Sequence, residues 1–195
     1  MAENIPVEYV KIASVVEKNA KILDLGCGGG DLMQYLSKTK NVNVQGIERS
    51  EEAIYSCVEK GLTVFHSDIE KGVESYPDGS FDYVIMHNSI QQIHRVDELI
   101  EDSFRLAKKI IIGFPNFAYI SARKDLLFGH SPVTKTLPYQ WFNTPNVRFL
   151  SVKDFERFCE KRSYKILNKF FFSQNKEIKC LPNVFAQTAV FVIAK

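Results

Sequence analysis

The sequence predicts an α/β fold with a doubly wound, mostly parallel sheet of seven strands, the last of which is antiparallel. Short apolar runs typical of strands alternate with helical patterns over residues 20–114, and the connections between them are short. Strands that alternate with helices in this way pair in parallel through right-handed crossovers. Ligands of such sheets bind beyond the carboxyl ends of the strands, so the residues that follow each strand are the candidates for function.

Composition and charge narrow the class of protein. Of the 195 residues, 45% are hydrophobic and 25% are charged, which is ordinary for one globular domain spanning residues 1–195. The 25 Lys and Arg residues nearly balance the 23 Asp and Glu residues, which gives no support for a nucleic-acid partner. No apolar run approaches the roughly 18 residues that span a bilayer, and the first residues do not resemble a signal peptide. We therefore expect a cytoplasmic protein without a membrane segment.

Seven segments have the pattern of β-strands. The first is an apolar run before a glycine cluster, the second alternates apolar and polar residues, and the third is short. The fourth and fifth are largely apolar, which is typical of parallel strands buried on both faces. The roughly thirteen residues between the last two strands are too few for a crossover helix, which favours an antiparallel pair. The expected strands comprise residues 21–25, 42–48, 62–65, 81–86, 109–114, 165–172 and 186–194.

Five segments have the apolar period of helices. The first has Pro6 in its first turn, where proline is favoured, and its N-terminal end could close over a ligand. Ser50 is expected to cap the third helix and Gly61 to follow its end. Residues 151–154 form a capping box that opens the last helix. The expected helices comprise residues 6–19, 30–38, 51–60, 97–108 and 151–162.

An insert at residues 115–150 interrupts this alternation. A connection of this length within a compact domain is usually functional. The alternative explanation is a cover over the sheet edge that is buried for packing alone. The insert contains Pro115, Pro132, Pro138 and Pro145, together with Phe117, Tyr119, Phe128, Tyr139, Trp141, Phe142 and Phe149.

A glycine-rich turn joins the first strand to the second helix, with the sequence Asp24-Leu25-Gly26-Cys27-Gly28-Gly29-Gly30. The dinucleotide fingerprint would need glycine at position 31, which is Asp31, and a P-loop would need Gly-Lys-Ser/Thr, which is absent. The pattern D-x-G-x-G-x-G resembles the first motif of class I S-adenosylmethionine (SAM) methyltransferases. Glycine lets a ligand lie on the backbone, and the helix N-terminus favours its carboxylate. A tight turn without a ligand is the alternative.

Acidic residues at successive strand ends fit the parts of SAM. Glu48 could accept from the ribose diol, although an acid has the same role in NAD sites. Asp68 could accept from the adenine amine, with the Ile69 N–H near the ring edge, and Asp24 could hold the α-amino group. The expected binding residues for SAM, or for its product S-adenosylhomocysteine, are Asp24, Gly26, Cys27, Gly28, Gly30, Glu48, Arg49, Asp68, Ile69 and His87.

His87 and Asn88 follow the fourth strand, where a methyl acceptor would arrive, and are the candidate catalytic residues. The imidazole pKa of about 6.5 suits a base near neutrality, but a structural histidine or one that lines the cofactor is an equal alternative. The Asp/Asn-Pro-Pro-Tyr/Phe tetrapeptide of nucleic-acid amino-methyltransferases is absent. Neither a zinc spacing nor a Ser-His-Asp arrangement is recognisable, so we expect no metal.

Beyond the superfamily, the chain resembles the MetW family of methionine biosynthesis proteins, which has a Rossmann-like class I methyltransferase fold. Two segments depart from the family pattern, Gly29 in the glycine turn and residues 87–91 after the fourth strand. The most specific part of the resemblance lies inside the insert. The matching segments are 22–28, 46–48, 81–85, 114–117, 132–135 and 137–139, with Trp141 and 144–146.

The resemblance implies a role in methionine synthesis alongside homoserine O-acyltransferase. We expect SAM-dependent methyl transfer to an unidentified small molecule. The alternative is a non-catalytic, SAM-binding regulatory subunit of the acyltransferase. The aromatic insert does not decide between them, since aromatic side chains line acceptor pockets and also form interface cores.

Overall fold

The computed structural model describes residues 5–195 and contains one sheet of eight strands. The strands are β1 Lys21–Leu25, β2 Asn43–Glu48, β3 Thr63–His66, β4 Tyr83–His87, β5 Lys109–Pro115, β6 Lys165–Ser173, β7 Lys176–Glu177 and β8 Thr188–Ala194. Their order in the sheet is β3-β2-β1-β4-β5-β8-β6-β7. Strands β1 to β5 pair in parallel, whereas β8 is antiparallel to both of its neighbours, β5 and β6. The predicted mostly parallel sheet with an antiparallel last strand is confirmed.

The predicted number of seven strands was wrong, because the chain forms an additional edge strand. The two residues of β7 pair with Phe172 and Ser173 at the end of β6. Gln174 and Asn175 connect the two strands and have φ angles of 49° and 59°. A two-residue hairpin of type I′ requires positive φ at both central residues, and asparagine is among the residues that adopt it.

The helices are α1 Val7–Val15, α2 Asp31–Lys40, α3 Glu51–Glu59, α4 Ile69–Gly72, α5 Val96–Leu106, α6 Ile120–Leu127, α7 Val152–Lys161 and α8 Pro182–Phe185. The capping predictions are confirmed, since Ser50 accepts from the Ala53 N–H and Ser151 forms a capping box with Asp154. Helix α6 was not predicted and shows that the insert is partly regular. No helix between residues 5 and 195 is long and apolar enough to cross a membrane.

Two apolar clusters, one on each face of the sheet, form the core. Successive residues of a strand point to opposite faces, and accordingly Ile110 and Ile112 of β5 join one cluster while Ile111 joins the other. Helices α1 and α2 cover one face, and α5 and α7 cover the other. Because both faces are covered, a polar ligand has access to the central strands at their ends.

Candidate functional site

A pocket of about 370 Å³ lies at the carboxyl ends of β1, β2 and β4, within the usual size range of small-molecule sites. Seven residues from the predicted set line it, namely Gly26, Gly28, Glu48, Arg49, Asp68, Ile69 and Asn88. Four predicted residues do not line it, namely Asp24, Cys27, Gly30 and His87. The lining residues that sequence reasoning missed are Ser50, Ala53, Glu70, Ser89, Gln92, Ile93 and His94.

The three glycines of the motif have different environments. A Cβ atom on Gly26 would lie 2.7 Å from the Cβ of Ser89, and one on Gly30 would lie 2.5 Å from the side chain of Leu62. A Cβ atom on Gly28 would meet nothing within 4 Å. All three glycines have positive φ angles, but only Gly28 exposes its backbone to open space in the pocket. Gly28 is therefore the place where a ligand could lie against the main chain.

The carboxylate of Glu48 connects the glycine turn to the end of β2. Its Oε2 accepts from the Gly28 N–H at 3.0 Å, and its Oε1 accepts from the N–H groups of Arg49 and Ser50 at 2.9 Å each. An ionised carboxylate has about four acceptor sites, so three backbone bonds leave capacity for a hydroxyl donor. Glu48 thus positions the loop and still presents an acceptor to the pocket.

Asp24 is a buried acid in the middle of the sheet beneath the glycine turn. Its side chain is 3% exposed, and its Oδ1 has no hydrogen-bond partner. Burial raises the pKa of Asp24 to about 7, the charge of His87 opposes that rise, and the charge of Glu48 adds to it. An unpaired buried acceptor is costly, so this carboxylate is suited to receive a hydrogen bond from a ligand ammonium.

Asp68 and Cys27 have local partners that explain their positions. Asp68 caps α4, and its Oδ1 accepts from the Glu70 N–H at 2.8 Å. The Cys57 thiol donates to the Gly28 carbonyl oxygen at 3.2 Å, and the Cys27 sulfur lies 3.8 Å from the same oxygen. Burial raises the pKa of the Cys27 thiol. Cys27 is therefore a protonated packing residue of the turn.

His87 lies beneath the start of α1. Its Nε2 is 3.2 Å from a carboxylate oxygen of Glu8 and 3.3 Å from the Asn88 amide nitrogen. Its Nδ1 is buried without a hydrogen-bond partner and packs against Gly113. A Cβ atom added to Gly113 would lie 2.2 Å from this nitrogen. Tyr9 packs edge-on against the imidazole with a centroid distance of 5.9 Å.

Glu8, which contacts His87 from α1, is a further residue near the site that the sequence did not identify. Burial raises its pKa, but the hydrogen bond and charge of His87, together with the Thr188 hydroxyl, lower it more, and the net shift is downward. Glu8 is therefore ionised and holds the imidazole. The only sequence signal for this contact was the expectation that the first helix could close over a ligand.

The pocket as a whole offers acceptors to a polar ligand with hydroxyl and amino donors. Glu48, Asp68 and Glu70 all line it, and the unpaired Asp24 lies beneath the turn. Within residues 5–195, no group of three or more His, Cys, Asp or Glu side chains is arranged to hold a metal ion.

Comparison with known proteins gives one family match. The family model described as methionine biosynthesis protein MetW matches residues 7–193. A bifunctional methionine biosynthesis protein MetXA/MetW of Rhodopirellula baltica is 30% identical over 198 aligned positions. The alignment covers 94% of this chain but 32% of that protein, so the chain spans about a third of the relative's length.

Two further proteins share the fold or part of the sequence. A ubiquinone biosynthesis O-methyltransferase of Methylococcus capsulatus is 34% identical over 94 residues, which cover 45% of this chain and 39% of that protein. A solved SAM-dependent methyltransferase of Mesorhizobium loti superposes with a TM-score of 0.69 at 16% identity, over 97% of this chain and 98% of that one. At this identity, the structural similarity establishes the fold, which agrees with the predicted Rossmann-like methyltransferase fold.

Proposed function

The chain belongs to the MetW family of methionine biosynthesis proteins, and we propose that it is a SAM-binding regulatory subunit of a homoserine O-acyltransferase. The observation that carries this proposal is an exposed aromatic surface on the insert, separate from the pocket at the strand ends. The bifunctional relative named MetXA/MetW carries both functions in one polypeptide. This fusion supports the pairing of the present chain with a separate acyltransferase.

The pocket residues, together with Asp24 beneath the glycine turn, fit SAM or its product S-adenosylhomocysteine. Glu48 would accept from the ribose diol and Asp68 from the adenine amine, while Asp24 would hold the ammonium group. The open backbone at Gly28 leaves space for the ligand, and the unpaired Asp24 Oδ1 needs a donor. When bound, SAM would supply an activated methyl group, and its charge would be balanced by these carboxylates.

We define the insert surface as the neighbouring side chains of Trp141 and Phe142, which are 75% and 69% exposed, respectively. Large apolar side chains that are exposed together mark interaction sites, and tryptophan is enriched among the residues that dominate binding energy. The edge-to-face pair of Trp141 and Phe142, with centroids 5.7 Å apart, presents a rigid aromatic anchor.

The contacts of His87, where a methyl acceptor would arrive, favour a regulatory role over catalysed methyl transfer. Nε2 of His87 is already engaged by Glu8, and Nδ1 faces the backbone of Gly113. A base must reach the proton that it abstracts, and here neither nitrogen of the imidazole is free to do so. A methyl acceptor would therefore require α1 to move before His87 could take part.

Methyl transfer to a small molecule is the second candidate, and the position of Asn88 in the pocket wall, directly after His87, is the observation that favours it. In this function α1 would first move Glu8 away from Nε2 of His87. His87 would then take the acceptor proton, and Asn88 would contact the acceptor. The reaction would require no second protein.

One pair of variants separates these functions. Trp141→Ala should abolish association with homoserine O-acyltransferase in a pull-down and leave the calorimetric affinity for SAM unchanged. Tyr55→Ala, which removes an aromatic side chain that is 68% exposed on α3, is the matched control and should affect neither measurement. Both residues are mostly exposed, so each substitution should change stability by no more than about 0.5 kcal/mol.

Other outcomes would contradict the regulatory role. If Trp141→Ala retains wild-type association, the insert surface is not the docking site. If purified protein methylates a small acceptor without a second protein, the chain is an enzyme. An unfolded Trp141→Ala protein would indicate that the insert is a packing cover.

A further inference from the structure

The insert contains a second cavity of about 310 Å³, which we call the insert cavity. Its walls include four aromatic rings, those of Phe117, Tyr139, Trp141 and Phe149. It shares no lining residue with the pocket at the strand ends. A ligand held here would therefore occupy a site separate from that of SAM.

The walls of the insert cavity favour a cation over an anion. None of the described residues that line it is Lys, Arg, Asp or Glu. An anion would lose its hydration without gaining a charged partner. A cation would gain from the aromatic rings among the walls, because the π-face of an aromatic ring attracts an ammonium group at short range.

Asn146 adds an acceptor to this largely apolar lining. It lines the cavity, is 9% exposed, and its Oδ1 is buried without a hydrogen-bond partner. Its backbone N–H is already satisfied, because it donates to the Thr144 hydroxyl at 3.1 Å. A buried oxygen without a hydrogen bond lowers the free energy of unfolding, and an N–H donor from a ligand would remove this cost.

We propose that the insert cavity binds a small organic ammonium ion. The ammonium group donates to Oδ1 of Asn146, and the apolar body of the ligand packs among the rings of Phe117, Tyr139, Trp141 and Phe149. At about 310 Å³ the cavity is at the small end of ligand sites, which suits a ligand with one ring or a short chain.

Trp141 reports on this site directly, because it is the only tryptophan among the 195 residues. The probes are benzylammonium and benzoate, which have the same size and opposite charge, titrated into protein saturated with S-adenosylhomocysteine. Benzylammonium should give a saturable change in tryptophan fluorescence and benzoate should give none. Equal responses to both probes, or no saturable response to benzylammonium, would overturn the proposal.

Two substitutions at Asn146 should act in opposite directions. Asn146→Leu keeps the branched shape of the side chain and removes the acceptor, so the affinity for benzylammonium should fall about tenfold. Asn146→Asp places a carboxylate beside the ammonium and should raise the affinity. Asn168→Leu, which replaces an exposed amide on β6 that does not line the cavity, is the matched control. Affinity that is unchanged in both Asn146 variants, in protein that still binds S-adenosylhomocysteine, would refute the role of the amide.

Discussion

Gly28 provides the most direct test of the proposed cofactor site. Its φ angle is +53°, and a Cβ atom would meet nothing within 4 Å because it would point into open space of the pocket. In Gly28→Val the two methyl groups would occupy the space where the proposed ligand would lie against the backbone. We expect the fold to survive and the binding of SAM to be lost.

The loss of stability and the loss of SAM affinity in Gly28→Val can be estimated separately. A left-handed backbone costs a residue with a Cβ atom about 1–2 kcal/mol, against about 5–15 kcal/mol for the stability of a typical domain. At roughly 2–4 °C per kcal/mol for a chain of this size, the melting temperature should fall by about 2–8 °C. Affinity for SAM should fall at least about 100-fold, or about 2.7 kcal/mol.

Gly79→Val is the matched control. Gly79 also has a positive φ of +66° and open space around a Cβ atom, but it does not line the pocket at the strand ends. Both variants should lose similar stability in thermal unfolding, and only Gly28→Val should lose SAM binding in calorimetry. Wild-type affinity in Gly28→Val would refute the role of the open backbone. Equal loss of binding in Gly79→Val would attribute the effect to general destabilisation.

Three further predictions concern the same pocket. Glu48→Ala and Asp68→Ala should each weaken SAM binding by about 1–3 kcal/mol in calorimetry, and unchanged affinity in both would remove them from the site. Asp24 has a raised pKa of about 7, so its stability contribution is present below its unfolded pKa of about 4 and is lost as pH rises through about 7. Relative to wild type, Asp24→Asn should therefore gain thermal stability as pH rises from about 4 to about 7, and a constant difference would contradict the raised pKa. The Gln91 carbonyl accepts from the N–H groups of Val147 and Arg148, which joins the segment next to the lining residue Gln92 to the insert. S-adenosylhomocysteine should then change affinity for the acyltransferase, and the acyltransferase should change ligand affinity by the same factor, which paired titrations would test.

The fold was predictable because its determinants are local. The apolar runs of β4 and β5 and the glycine turn after β1 have clear patterns, and right-handed crossovers leave few ways to connect them. The edge strand β7 was missed because its turn is Gln-Asn, which lacks the glycine that usually marks such a hairpin. Helix α6 was missed because prolines and aromatic residues on both sides obscured its short apolar period.

The site was only partly predictable for a related reason. Glu48, Asp68 and Asn88 lie at or just after the ends of strands. The carboxyl ends of parallel strands meet at one edge of the sheet independently of the loop conformations. Ser89 and His94 belong to the connection after β4, whose path across the pocket depends on packing. Ser89, for example, is held by a bond from its hydroxyl to the Leu25 carbonyl at 2.7 Å, which no sequence period shows.

Glu8 shows how a residue distant in sequence bears on the choice between functions. The sequence places His87 at a strand end, where a base would act, but says nothing about what occupies its nitrogens. In the structure Glu8 approaches Nε2 from α1, and the Thr188 hydroxyl on β8 fixes the same carboxylate. Helix α1 and strand β8 therefore together close the side of His87 from which a methyl acceptor would approach. Because the insert surface is exposed while this side is closed, a partner can dock without a movement of α1, whereas methyl transfer requires α1 to withdraw Glu8 from His87.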